Sequence, residues 1–162
     1  MSHRHVSKTP SVWKNPVHFF AFGLGSGLSP VAPGTFGTLA AIPFYLVFQY
    51  LPLWNYLLVL AVSIVLGIWL CGKTSKDLGV HDHPGIVWDE FVGYWITMLV
   101  APSGWEWVLT GFILFRIFDI WKPWPIGWLD QKVHGGLGIM IDDIIAGIFA
   151  LISLQVIAHL LL

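Results

Sequence analysis

The sequence predicts an all-α fold: a polytopic membrane bundle of about five membrane helices, preceded by a short re-entrant or interfacial N-terminal helix. Hydrophobic residues make up 56% of the chain and charged residues only 10%, whereas soluble domains carry about 25% charged residues. Several apolar segments also approach the ~20 residues that a helix needs to cross a bilayer. We therefore expect one membrane-embedded domain over residues 17–162, after a disordered basic N-terminal arm over residues 1–16.

The apolar segments are separated by polar or proline-containing breaks. Residues 17–28 are too short to span a bilayer and are rich in glycine, which favours a short helix or a re-entrant segment. Thr35 or Thr38 is expected to cap the helix that follows, and residues 73–84 and 127–138 are expected to be loops. The five membrane helices are predicted at residues 36–51, 56–72, 91–101, 108–120 and 142–162.

The third of these helices is too short to cross a membrane. Its uncharged part, residues 91–101, would be about 17 Å long, against about 30 Å of hydrocarbon. Either Asp89 and Glu90 lie within the depth of the bilayer, or the helix is only partly exposed to lipid. Both alternatives bury these acids against protein, and ionisable residues at such a depth indicate a functional site by default.

The positive charges indicate an orientation. The N-terminal arm and the segments 73–84 and 122–134 hold every Lys and Arg except Arg116, while the other connections hold none. The positive-inside rule then places the N-terminus in the cytosol. With five crossings, the polar candidates all fall on that side: Thr35, Asp89, Glu90, Arg116, Asp119, Lys122, His134, Asp142 and Asp143.

These side chains favour phosphate chemistry. Clustered carboxylates repel one another, and Mg²⁺ relieves that repulsion because it binds carboxylate oxygens and works with substrate phosphates. Such an ion polarises a phosphoryl oxygen and activates water. Arg116 and Lys122 are suited to hold a phosphate, the helix start at Gly34 and Thr35 is suited to an anion, and His134 is suited to acid–base work.

Other interpretations remain open for the same residues. Arg116 and Asp119, three apart on one helix face, also fit a structural ion pair, and acids at a helix start also favour its dipole. A small ion-coupled transporter uses intramembrane acids too, and a non-catalytic assembly factor would use them for packing. The sequence has no basic–aromatic pattern, so we expect no nucleic-acid partner, and the single cysteine, Cys71, excludes an internal disulfide.

Four motifs make the sequence similar to a known family. They are PGTFGT at 33–38, HDHPGIVWDEFVG at 81–93, FRIFDIWKPWP at 115–125 and HGGLGIMIDDIIAG at 134–147. In this order they closely resemble the phosphatidylglycerophosphatase A family. The resemblance implies a multi-pass enzyme of the bacterial inner membrane that removes the terminal phosphate of phosphatidylglycerophosphate, a phospholipid substrate, with Mg²⁺. It leaves the oligomeric state open.

Roles for individual residues are a hypothesis built on both lines of reasoning. We expect Asp142, Asp143 and His134 to be catalytic: Asp142 orients the metal shell or acts as a base, and His134 assists the leaving oxygen. Gly34, Thr35, Arg116 and Lys122 are expected to bind the substrate phosphate. The expected Mg²⁺ ligands are Asp89, Glu90, Asp119 and Asp143.

Overall fold

The computed structural model describes residues 10–162, and this part of the chain is helical without any strand, so the all-α prediction is confirmed. Two helices in it are long and apolar enough to cross a membrane, α3 and α7. The count of five membrane helices therefore stays a prediction. The helices are α1 Pro16–Ala21, α2 Pro33–Phe48, α3 Leu53–Leu78, α4 Trp88–Thr97, α5 Trp105–Trp121, α6 Ile126–Lys132 and α7 Gly135–Leu161, with a 3-10 helix at Ser26–Leu28.

The N-terminal arm is described only in part. Residues 1–9, with Arg4 and Lys8, lie outside the described residues. Residues 11–15 form a turn in which Val12 is buried and Lys14 is exposed. The Asn15 side chain then accepts a hydrogen bond from Val17 N–H at 2.9 Å and caps α1.

Helix α4 is the centre of the bundle and is surrounded by α2, α3, α5 and α7. All of its ten residues except Glu90 are buried. The Trp95 indole N–H donates to Ala41 O on α2 at 3.0 Å, and the Tyr56 hydroxyl of α3 donates to Trp95 O at 2.8 Å. Helix α4 is therefore enclosed by the other helices, while the depth of its acids in a bilayer stays a prediction.

The start of α4 packs against the middle of α3. The Trp88 indole N–H donates to Ser63 O, near the middle of α3, at 3.0 Å. Helix α7 packs antiparallel on the other half of α3, where a Cβ on Gly136 would come within 1.8 Å of Ile68 O. Glycine is required there because the two backbones approach so closely.

An irregular segment completes the path between α3 and α4. Gly85, Ile86 and Val87 are buried, and Val87 N–H donates to Ala21 O at the end of α1 at 2.9 Å. Helix α1 and the 3-10 turn after it cover part of this segment.

Two predicted loops are wrong because they contain helix. Helix α3 runs through Lys73 and Asp77, an i,i+4 ion pair that stabilises a helix, and ends at Gly79 with φ +67°. Residues 127–138 hold α6 and the first turn of α7. Because α7 begins at Gly135, Asp142 and Asp143 lie inside the helix rather than at its start.

The predicted threonine caps of α2 are also wrong. The N-cap residue is Ala32, with φ +44°, and no side chain caps the helix. The Thr38 hydroxyl instead donates to Gly34 O within the helix at 2.9 Å. Pro33 at the first helical position, with its fixed φ and missing N–H, starts the helix without a side-chain cap.

Candidate active site

A cavity of about 370 Å³ lies between the start of α2, the 79–87 loop, α4, the end of α5 and α7. Three helices direct acids into it: the first turn of α4, the last turns of α5 and the second and third turns of α7. Its charged lining residues are Asp82, Asp89, Glu90, Arg116, Asp119, Lys122, Asp142 and Asp143. The sequence-predicted carboxylates are thus brought together in one cavity.

Three of these acids converge closely enough to share a cation. Glu90, Asp119 and Asp143 each offer an oxygen, and the three oxygens lie within 4.8 Å of one another. They come from three different helices, α4, α5 and α7. Such a set of carboxylate oxygens is the kind of ligand that Mg²⁺ prefers.

Several carboxylate oxygens in the cavity are buried without a hydrogen-bond partner. They are Asp89 Oδ1, Glu90 Oε2, Asp142 Oδ1 and Asp143 Oδ2. A buried polar atom without a partner costs about 1–3 kcal/mol, and more when it is charged. A cation bound among these oxygens would offset that cost, so the residues fit a hard divalent metal ion.

Arg116 supplies positive charge on the same side of the cavity. It forms an ion pair with Asp119, and its Nη1 lies 3.5 Å from Glu90 Oε1. The ion pair that the i,i+3 spacing allows is therefore present. Arg116 Nε is buried and has no partner, so the guanidinium keeps an unused donor.

Lys122 joins three elements at the edge of the cavity. Its ammonium donates to Asp142 Oδ2 at 2.7 Å and to Asp130 Oδ2 on α6 at 3.0 Å. Burial alone disfavours the charged lysine, but the hydrogen bonds and charges of these two carboxylates raise its pKa. Lys122 thus already has two anionic partners, and it holds Asp142 to α6.

The structure separates two predicted residues from this cavity. His134 is exposed, and its ring centroid lies 5.6 Å from that of His81. Thr35 does not line the cavity, and its N–H donates to Ala32 O at 3.0 Å. The start of α2 therefore has fewer free backbone N–H groups than its sequence suggests. The roles assigned to His134 and Thr35 stay predictions.

Gly34 contacts the site through its lack of a side chain. A Cβ at this position would lie 2.2 Å from Glu90 Oε1 and 3.1 Å from Arg116 Nη1. Glycine therefore lets the backbone of α2 approach the ion pair closely. The prediction that Gly34 binds the substrate phosphate at the helix start stays a prediction, and the structure gives glycine a separate reason to be here, which is space.

Asp130 is a residue of this region that the sequence analysis did not identify. The contact between Asp130 and Lys122 bridges the turn between α5 and α6. No local spacing in the sequence signals that pairing. Asp82 also lines the cavity, and its position between His81 and His83 is a sequence signal that could have found it.

Fold and site together define an all-helical protein with a carboxylate-lined cavity suited to phosphate chemistry. Residues 19–158 match the sequence model of the family described as Phosphatidylglycerophosphatase A. The chain belongs to the phosphatidylglycerophosphatase A family, as its motifs predicted, and it is a phosphatase.

Two relatives support the assignment, and a third carries a different name. The chain is 54% identical to phosphatidylglycerophosphatase A of Escherichia coli K12, covering 97% of this chain and 92% of that protein. It is 48% identical to phosphatidylglycerophosphatase A of Haemophilus influenzae, covering 91% and 92%. It is also 41% identical, over 83% and 88%, to a Bacteroides thetaiotaomicron protein provisionally named a phosphatidylinositol-3-phosphatase.

No solved structure matches the chain. The alternative of an ion-coupled transporter finds no support in the family match.

Proposed function

We propose that this protein hydrolyses the terminal phosphomonoester of phosphatidylglycerophosphate to give phosphatidylglycerol and inorganic phosphate. The observation that carries the proposal is the convergence of Glu90, Asp119 and Asp143 beside Arg116 in one cavity. The substrate is supported by the names of the Escherichia coli and Haemophilus influenzae relatives.

Mg²⁺ is the proposed cofactor, and the four predicted ligands all line the cavity. Glu90, Asp119 and Asp143 would hold the ion, with Asp89 beside them, because Asp89 Oδ1 is buried without a partner. When bound there, the ion would act as a Lewis acid toward a phosphoryl oxygen and neutralise developing charge.

The other charged residues of the cavity have separate roles in this proposal. Arg116 Nε, buried and without a partner, would donate to a phosphate oxygen. Asp142 is held by Lys122 through Oδ2, which leaves Oδ1 free to accept a proton from water as that water attacks phosphorus. The P–O bond to glycerol then breaks, the glycerol oxygen takes a proton from solvent water, and Asp142 returns its proton to the solvent.

We also propose that the protein is a multi-pass protein of the bacterial inner membrane, with the cavity opening toward the cytosol. Helices α2 and α5, of 16 and 17 residues, are each about 25 Å long, which approaches the thickness of the hydrocarbon core. Exposed Trp105 and Trp121 lie at the two ends of α5, as interfacial tryptophans do. With α3, α7 and the enclosed α4, these helices make the expected five.

The test is phosphate release from phosphatidylglycerophosphate by the full-length protein purified in detergent. We expect release with Mg²⁺ and none with EDTA, and we expect readdition of Mg²⁺ to restore the rate. Phosphatidylinositol 3-phosphate, assayed in parallel, tests whether the glycerophosphate head group is selected. Release that EDTA does not affect would contradict the metal, and a folded protein that releases phosphate from neither lipid would contradict the function.

A further inference from the structure

One face of α5 is apolar, exposed and continuous with the cavity. Leu109, Ile113, Ile117 and Ile120 recur every three to four residues and are all exposed. At 100° per residue they form a single stripe along the helix. Ile120, 70% exposed, also lines the carboxylate cavity.

Arg116 links this stripe to the phosphate end of the site. It lies one turn before Ile120, and the i,i+4 spacing puts the two side chains on neighbouring positions of the helix surface. From Arg116 the cavity continues to the acids, and from Ile120 the stripe continues away from them along α5. A molecule with a phosphate at one end and hydrocarbon at the other matches this order of surfaces.

We propose that the α5 stripe is the docking surface for the acyl chains of the lipid substrate, with the phosphate held in the carboxylate cavity. This inference rests on the proposed function and adds how the lipid reaches the site. The lipid enters sideways from the bilayer along α5, and its head group moves into the cavity past Ile120. Arg116 then meets the phosphate while the chains remain outside the bundle.

The length of the stripe agrees with an acyl chain. From Leu109 to Ile120 the helix rises about 17 Å at 1.5 Å per residue. One leaflet contributes about 15 Å of hydrocarbon, half of the ~30 Å core. The stripe is therefore about as long as the hydrocarbon of one leaflet is thick. It begins at the level of the cavity.

A second apolar surface provides the comparison. Helix α3 carries a hollow of about 470 Å³ lined by Ala61, Val62, Val65, Leu66 and Trp69. No charged side chain lines it. It shares no lining residue with the carboxylate cavity, so we assign this surface to the general contact with the bilayer.

The experiment compares two substrates in matched variants. Ile113→Trp and Ile117→Trp enlarge side chains on the stripe, and Val62→Trp and Val65→Trp do the same on α3. All four positions are exposed and apolar, and the new side chain remains compatible with lipid. For each protein, kcat/KM is measured for a long-chain phosphatidylglycerophosphate in mixed micelles and for a water-soluble short-chain analogue.

The ratio of the two kcat/KM values is the readout, since the fraction of folded protein cancels in it. We expect the long-chain to short-chain ratio to fall about five- to tenfold in the α5 variants, the size of a loss of about 1–1.4 kcal/mol. In the α3 variants it should stay within about twofold. An unchanged ratio in the α5 variants, or an equal fall in both pairs, would overturn the proposal. If the unmodified protein hydrolysed neither substrate, the proposed function itself would fail.

Direct contact can be tested without turnover. Cys71 is fully buried, so Ile117→Cys and Val65→Cys each add one accessible thiol for a fluorescent label. A phosphonate analogue of the substrate, with brominated acyl chains, should quench the label at position 117 at a lower mole fraction than at position 65. A brominated neutral lipid serves as the control. Equal quenching at both positions would mean that the analogue contacts the protein only as bulk lipid.

Discussion

The two ends of the helical bundle each contain a cavity. Buried polar groups have hydrogen-bond partners at one end and lack them at the other. At the end of α2 and the start of α3, a cavity of about 190 Å³ is lined by Tyr45, Gln49 and Tyr56 among apolar residues, with no charge. There the Tyr56 hydroxyl and Gln49 Nε2 donate to backbone carbonyls at 2.8 and 2.9 Å. At the other end, four acids keep buried oxygens without partners.

The difference indicates that the uncharged end contributes to the stability of the bundle and the acidic end to its function. Buried polar groups in proteins nearly always have hydrogen-bond partners, and exceptions mark sites where something else must bind or react. The uncharged end follows the rule and connects α3 to the central helix. The acidic end departs from it, with carboxylates repelling one another at a cost in stability. Substitutions at the two ends should therefore produce opposite combinations of activity and stability.

The largest effect is expected for Asp143→Asn. The change keeps the shape of the side chain but removes one of the three converging carboxylates, so activity with Mg²⁺ should fall about 10³-fold, equivalent to about 4 kcal/mol. Without added metal, the melting temperature should stay the same or rise, because one buried like charge is gone. The measurements are phosphate release and thermal unfolding in detergent with EDTA. Full activity in this variant would remove Asp143 from the site.

Gly34→Ala should have the next largest effect. The added Cβ must displace the Glu90 carboxylate, which would otherwise lie 2.2 Å away. A displacement of about 1 Å in an active site can cost about 10²-fold in rate, and alanine is otherwise the better helix residue. The control is Thr35→Ala, next in sequence but outside the cavity. A greater loss at Thr35 than at Gly34 would reverse this assignment and favour Thr35 as the phosphate contact.

Lys122→Met distinguishes two roles of the lysine. Sequence reasoning predicts a phosphate contact, whereas the structure shows two carboxylate partners. If Lys122 chiefly positions Asp142, kcat should fall about tenfold with KM nearly unchanged, as when a residue supporting an active-site group is removed. A rise in KM at constant kcat would instead support direct phosphate binding.

The acids of the site could be predicted from the sequence better than the helix ends could. The acids could be found because charge is costly inside an apolar chain, so Asp89, Glu90, Asp142 and Asp143 are conspicuous in the sequence. Helix ends were less predictable: α3 continues past Lys73 because an i,i+4 ion pair supports it, and α7 starts at Gly135, far before its acids. The pairing of Lys122 with Asp130 depends on a turn geometry that no local pattern encodes.

The smallest effect on activity is expected for Tyr56→Phe at the uncharged end. The substitution removes only the hydroxyl that donates to Trp95 O on α4. A hydrogen bond of this kind contributes about 1 kcal/mol, so the melting temperature should fall by about 2–4 °C while kcat and KM stay within about twofold. This result is the reverse of that for Asp143→Asn. If Tyr56→Phe lowered activity about tenfold, the uncharged end would contribute to activity as well as to stability. The proposed difference between the two ends would then be wrong.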